Sequence, residues 1–198
     1  MPRSSRITAA EEYYHVISRG NNSQTLFHRD EDFSVFLELV VGYLKRYEVS
    51  LIHYCFMPNH IHFLVRQDCQ NKGLAKFMHA IKMCYAAHFH HKYGGTGAVW
   101  EGRFKSFHVH SSSYLLECGR YIERNPVKAG MAKEPSAYRY SSYAHYACDR
   151  PINFITDNPE YLALSNSAQG RQFFYQKYVQ EDRNWNPGVV KSIEKIYA

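Results

Sequence analysis

Two histidines stand one residue apart in MPNHIHFLVR, residues 57–66, inside a run that is otherwise apolar. Neutral imidazole is a common ligand for a divalent ion. Successive side chains on a strand alternate faces. His60, His62 and Leu64 then share one face, and Ile61, Phe63 and Val65 share the other. Ile61 can hold a core while both imidazoles point at one spot. Two ligands leave an ion open to a third protein group, water and substrate oxygens, as a catalytic ion requires. A second pair with the same spacing, His108 and His110, lies at a strand end beside three serines and reads as a polar strand face. The other chemistry-bearing residues lie in YLLECGRYIERN, residues 114–125. On a helix Tyr121 and Asn125 lie on one face, with Glu117 one turn earlier, while Leu115, Cys118 and Ile122 are placed to pack inward. Taken alone, Tyr121 reads as an aromatic covering a helix–sheet seam.

Positioning these groups needs a scaffold. YYHVISRG (13–20) reads as a strand broken by GNN. Asp30 is the expected N-cap of a helix, with Glu31 and Asp32 in its first turn and Phe33, Phe36, Leu37, Val40, Leu44 and Tyr47 at helical spacing. VSLIHYCF (49–56) and HIHFLVR form a hairpin turned by Pro58 and Asn59. A second helix spans roughly 73–92 and ends at Gly94 and Gly95. VWEGRFKSFHVH (99–110) reads as a fourth strand with an irregular start. Ser111–Ser113 offer N-caps to a short helix over 114–125, with Pro126 as its stop. The order βαββαβ predicts an α+β fold, a ferredoxin-like split βαββαβ antiparallel sheet with both crossover helices on one face, followed by the helix of Tyr121. Residues 1–146 are expected to form the domain. Residues 147–198, with one expected helix over SAQGRQFFYQKYVQ, are expected to be an appendage packing on it without a core of its own.

Composition narrows the partner. Twenty-four Lys and Arg against 18 Asp and Glu leave a formal net charge of +6, which fits a polyanion. Seventeen Tyr and 12 Phe supply faces on which unpaired bases can stack, although most must be core. Five Cys at scattered positions, without a CxxC, fit reduced thiols in a cytoplasm. The N-terminal stretch lacks the apolar region of a secretory signal, and no apolar run approaches a membrane span.

MPNHIHFLV, a later YIERNPVKAG, RGNN near the start, WEGRFK between them and YRYSSYAHY beyond together resemble the REP-associated tyrosine transposases. These belong to the single-tyrosine HUH endonucleases, where HUH stands for His, bulky apolar residue, His. The resemblance covers about residues 12–146. It implies that His60, His62 and Asn125 hold Mg²⁺ or Mn²⁺ and that Tyr121 is the nucleophile. Related insertion-sequence transposases usually carry Gln or Glu one turn after the tyrosine, so Glu117 stands as the second choice for the third ligand.

The resemblance also implies a substrate of single-stranded or hairpin DNA of the REP type, cleaved and rejoined through a 5′-phosphotyrosine. A phenol with an ordinary pKa near 10 needs a metal's help to attack at neutral pH. Arg19, Asn21, Asn22, Arg103, Lys105, Arg120 and Arg124 flank the proposed site as DNA contacts, with Trp100 or Phe104 as stacking platforms. The oligomer is expected to be a monomer or a dimer. Two other readings remain open: a domesticated relative that grips REP-type hairpins without cutting, and a metal-dependent hydrolase that uses water.

Overall fold

The structure, a computed structural model, describes residues 9–70 and 72–181. Four strands form one antiparallel sheet: β1 (Glu12–Arg19), β2 (Val49–Met57), β3 (His60–Gln67) and β4 (Lys105–Val109). Their order is β2-β3-β1-β4, the split βαββαβ arrangement. β3 is therefore central, as its apolar run suggested. Pro58 and Asn59 form the tight turn between β2 and β3, with Met57 paired to His60.

α1 (Asp30–Leu44) and α2 (Gly73–Tyr93) cover one sheet face. Phe36, Val40, Phe77, Ile81 and Tyr85 pack there against Val16, Phe56, Ile61 and Phe63. α3 (Ser112–Lys128) covers the opposite face through Leu115, Cys118, Tyr121 and Ile122. Alternation along each strand thus feeds two separate cores.

Four local expectations needed correction. Asp30 is not the N-cap of α1. Arg29 holds that position, and Asp32 in the first turn accepts from the backbone N–H of His28 (2.8 Å) and Arg29 (2.9 Å). Asp30 instead accepts from Arg139 Nη1 at 2.9 Å and from the Tyr140 hydroxyl. β4 is shorter than residues 99–110, because Trp100 makes only an isolated bridge with Gly20 before the chain turns. α3 begins at Ser112, two residues before the expected start. It also runs through Pro126. Proline removes the N–H that would reach the carbonyl of Ile122. Asn125 Nδ2 donates to that carbonyl at 3.3 Å and to the Tyr121 carbonyl at 2.8 Å, so the helix continues for two more residues.

Beyond β4 and α3 the chain adds α4 (Tyr143–Ala147), α5 (Pro159–Leu162) and α6 (Ala168–Gln180). α6 starts where the sequence suggested, with Ser167 Oγ accepting from the Gly170 N–H at 3.0 Å. Tyr161, Tyr175 and Val179 form a cluster with Tyr143 and Tyr146 of α4 and with Leu116 of α3. The segment's apolar side chains are therefore buried jointly with the outer side of α3.

Candidate active site

β3 pairs His62 with Ile17 on β1 and with Cys55 on β2, while Ile17 pairs with Lys105 on β4. His60 pairs with Arg19 and Met57. All these side chains share the sheet face under α3. The two imidazoles do converge, with ring centroids 4.9 Å apart and planes at 78°.

Each imidazole has one nitrogen committed. His60 Nδ1 lies 2.6 Å from Asn59 Oδ1, which can only accept, so Nδ1 carries the proton and Nε2 carries the lone pair. His62 Nδ1 lies 3.1 Å from Nε2 of His15 on β1. His62 Nε2 is buried and has no hydrogen-bond partner. Burial first, and then the charge of Arg19, lowers the His60 pKa to about 4. Burial, followed by His60 and His15, holds His62 well below its ordinary value. Both side chains are therefore neutral near pH 7, the form that ligates a metal.

Tyr121 hangs from α3 onto this pair. Its ring stands edge-on to His62 at 5.8 Å and 84°, and edge-on to His15 at 5.6 Å and 78°. Its exposure is 8%. Gly119 lets α3 come this close to the sheet, since a Cβ there would meet His53 Nε2 at 2.5 Å.

The two choices for a third ligand are differently placed. Asn125 spends its amide N–H groups on helix carbonyls. Its Oδ1 is the atom that a hard cation would take. Glu117 is engaged elsewhere: one carboxylate oxygen takes Arg120 Nη1 at 3.1 Å, and the other takes the Tyr178 hydroxyl of α6. Among the described residues, no three His, Cys, Asp or Glu side chains gather closely enough to hold a metal ion. A third protein donor among them would have to be an amide, a hydroxyl or a backbone group. The donor set present, an orphaned buried imidazole nitrogen beside a second imidazole, fits a divalent ion.

The cationic and amide residues divide into two groups. Arg19 sits beside His60 in register. Asn21 and Asn22 lie in the turn after β1, where Gly20 N–H donates to the Asn59 carbonyl at 2.8 Å, next to His60. Lys105 shares the histidine face, and Arg103 is exposed just before it. Arg120 is not part of this group. It is 3% exposed and donates to the Tyr178 carbonyl (2.9 Å), to Glu117 and to the Glu181 carbonyl. Arg124 donates to the Val179 carbonyl at 2.6 Å. Both fasten α3 to the C-terminal segment. Trp100 and Phe104 are buried, and they line a largely apolar cavity of about 730 Å³ against α2, with the indole N–H donating to the Lys82 carbonyl at 3.0 Å. His108 is 2.6 Å from Glu12 Oε2 and stacks on Tyr14 at 5.2 Å, consistent with a polar strand face.

Sequence reasoning missed two features. His15 carried only a weak signal, a single imidazole in a mostly apolar strand, and its approach to His62 depends on strand register. The other is a buried polar cluster between α3 and the edge strand β2. Glu123 takes His53 Nδ1 at 2.9 Å, the Ser142 hydroxyl at 2.6 Å and the Tyr175 hydroxyl at 2.8 Å. Its members come from β2, α3, the start of α4 and α6, so no local pattern could have announced it.

A family model described as "Transposase IS200 like" matches residues 8–125, more than half of the 198-residue chain. No curated protein matches. Among solved structures, the REP-associated tyrosine transposase bound to a REP hairpin superposes with a TM-score of 0.63 at 16% sequence identity, over 74% of this chain and 85% of that one. That likeness is one of fold. A candidate transposase from Deinococcus radiodurans R1 (TM-score 0.41, 18% identity, 63% of this chain and 97% of that one) is more distant. So is the tRNA(His) guanylyltransferase of Saccharomyces cerevisiae (0.40, 11%, 66% and 71%). No helix among the described residues is long and apolar enough to cross a membrane.

Proposed function

Because this chain belongs to the IS200-like transposase family, we propose that it cleaves and rejoins single-stranded DNA through a 5′-phosphotyrosine on Tyr121. The observation that carries this reading is the packing of the Tyr121 ring edge-on against His62, 5.8 Å away, where His62 Nε2 has no partner. A purely structural seam gives no reason to leave a buried nitrogen unpaired beside a tyrosine.

His60 and His62 would hold a divalent ion, Mg²⁺ or Mn²⁺, with Asn125 Oδ1 as the third donor. When bound, such an ion polarises the scissile phosphate and offsets its developing charge. The residues of this chain do the rest. α3 holds the phenol against the histidine face, so attack is intramolecular within the bound complex. The Tyr121 oxygen forms a bond to phosphorus as the phenol gives up its proton. The bond from phosphorus to the 3′-oxygen breaks, and that oxygen takes a proton to become a 3′-OH. A different 3′-OH can reverse the step, because the adduct keeps the phosphodiester's energy. Arg19, Asn21, Asn22, Arg103 and Lys105 would grip backbone and bases along the adjoining edge. Arg120 and Arg124 act on α3 instead.

The substrate is proposed to be a single strand carrying a REP-type hairpin. The fold shared with a hairpin-bound transposase and the net charge of +6 support this choice. Residues 1–146 would form the catalytic domain and 147–198 an appendage, whose described part, 147–181, holds α3; residues 1–8 and 182–198 lie outside the described residues. The experiment is to incubate the protein and Tyr121→Phe with labelled hairpin DNA and Mn²⁺, then run a denaturing gel. Wild type should give a slow covalent band and the variant none. A hairpin bound but never cut would mean a binding protein, and cutting without a band would mean a water-using hydrolase.

A further inference from the structure

We propose that His15 is a positioning residue for the metal ligand His62: it accepts the Nδ1–H of His62 and so leaves the His62 Nε2 lone pair for the ion. The inference rests on the metal reading above. His15 lies on β1 two residues before Ile17, the register partner of His62, and on the same face. It is 1% exposed, and its Nε2 lies 3.1 Å from His62 Nδ1 with the rings stacked at 5.4 Å and 17°. The outer nitrogens of both rings, His15 Nδ1 and His62 Nε2, are buried without partners.

Two neutral imidazoles sharing one hydrogen bond have two arrangements. In the first, His62 donates from Nδ1 to His15 Nε2. His62 Nε2 then carries a lone pair and can bind a cation. In the second, His15 donates from Nε2 and His62 carries its proton on Nε2. That nitrogen then carries the proton and cannot ligate; each arrangement leaves one buried N–H without a partner, on His15 Nδ1 in the first and on His62 Nε2 in the second, so the ion decides between them. A divalent ion is compatible only with the first. His15 cannot itself share the ion through Nε2, because that nitrogen is turned to His62 Nδ1. Its contribution is to fix tautomer and ring orientation from behind, the usual role of an outer-shell partner. Simple packing would be served equally well by any ring of this size, since Phe107 and Tyr121 also flank His15, at 6.2 Å and 5.6 Å.

The test uses the full chain without DNA. Mn²⁺ binding is measured by calorimetry for wild type, His15→Phe, His15→Gln and His62→Ala, beside thermal melts. His15→Phe keeps a ring but loses the acceptor, and affinity should fall about 10- to 100-fold, the usual loss for an outer-shell partner. His15→Gln restores an acceptor near the Nε2 position and should bind close to wild type. His62→Ala should lose the ion. With Mg²⁺ bound to the wild type, long-range ¹H–¹⁵N correlation should find the His62 proton on Nδ1. Wild-type affinity in His15→Phe, or loss in a folded His15→Gln equal to that in His15→Phe, would overturn the role of His15 while leaving the metal site standing. Unchanged affinity in His62→Ala would sink the metal reading and this inference with it. Should His15→Phe fail to fold, the tautomer of the Mg²⁺-bound wild type still decides: a His62 proton found on Nε2 refutes the proposal.

Discussion

His53 on β2 and Glu123 on α3 face each other with Nδ1 and Oε1 2.9 Å apart, both side chains fully buried. Glu123 lies two residues beyond Tyr121. Its carboxylate also takes Ser142 and Tyr175, and His53 Nε2 lies 3.1 Å from Asn158 Nδ2. The helix that carries Tyr121 is thus pinned to the edge strand β2, and to α4 and α6, by buried polar groups.

Glu123→Ala should therefore destabilise the protein strongly. It strands His53, Ser142 and Tyr175 as buried polar groups, and leaving a buried polar group unsatisfied costs about 1–3 kcal/mol. Urea denaturation measures this, and a loss below about 1 kcal/mol would mean the cluster contributes little. Gly119→Ala tests the same seam sterically. Its Cβ would press on an imidazole that is already fixed on both sides, and overpacking of this kind costs about 1–3 kcal/mol.

Tyr121→Phe keeps the ring contacts with His15 and His62 and removes one oxygen. Stability should change by no more than about 0.5–1.5 kcal/mol, the value of one hydrogen bond. Hairpin affinity should survive while cleavage and the covalent band vanish together. A persisting band would move the nucleophile to another tyrosine.

The two histidine pairs should separate in a metal titration. His60→Ala is expected to lose Mn²⁺ binding and cleavage with a modest loss of DNA affinity, because phosphate contacts elsewhere supply most of it. His108→Ala removes a partner of Glu12, 2.6 Å away, and should leave Mn²⁺ affinity near wild type. Equal behaviour of the two variants would show the site to be misassigned.

Asn125→Ala should weaken Mn²⁺ binding and slow cleavage. It should also loosen the end of α3, since it uncovers the Ile122 carbonyl that Pro126 cannot serve. Glu117→Gln disturbs the contacts to Arg120 and Tyr178 and is expected to lower thermal stability while sparing metal affinity. The reverse pattern would place the third ligand one turn back along α3.

Acid should destabilise the metal-free fold. Burial lowers His15 from 6.5 to about 3, and burial with Arg19 lowers His60 from 6.5 to about 4. The unfolded chain takes up these protons below about pH 6.5, while the folded chain does not until well below that. The stability they contribute is full above pH 6.5 and drains as pH falls from 6.5 toward 4. Thermal melts across that range should show a falling midpoint, less steep in His15→Phe. A midpoint that rises on acidification would contradict buried, neutral imidazoles.

The single-residue spacing of His60 and His62 and the one-turn spacing of Tyr121 and Asn125 are local facts, so the strand and helix periods alone decide that each pair shares a face. The same periods reveal βαββαβ, because apolar alternation at Ile61, Phe63 and Val65 and helical spacing at Phe33, Phe36 and Val40 need no partner to be read. Where α3 ends was not legible, since a proline normally stops a helix and only the Asn125 side chain, folded back onto its carbonyls, lets it run on. The contacts of Arg120 and Arg124 were hidden for a similar reason: a guanidinium near Tyr121 in sequence looks solvent-facing until α6 supplies the carbonyls that bind it. His15 and His62 lie 47 positions apart, and Glu123 reaches His53, Ser142 and Tyr175 over still more varied separations. Strand register and the docking of the C-terminal segment bring these together, and neither is encoded in any window of neighbouring residues.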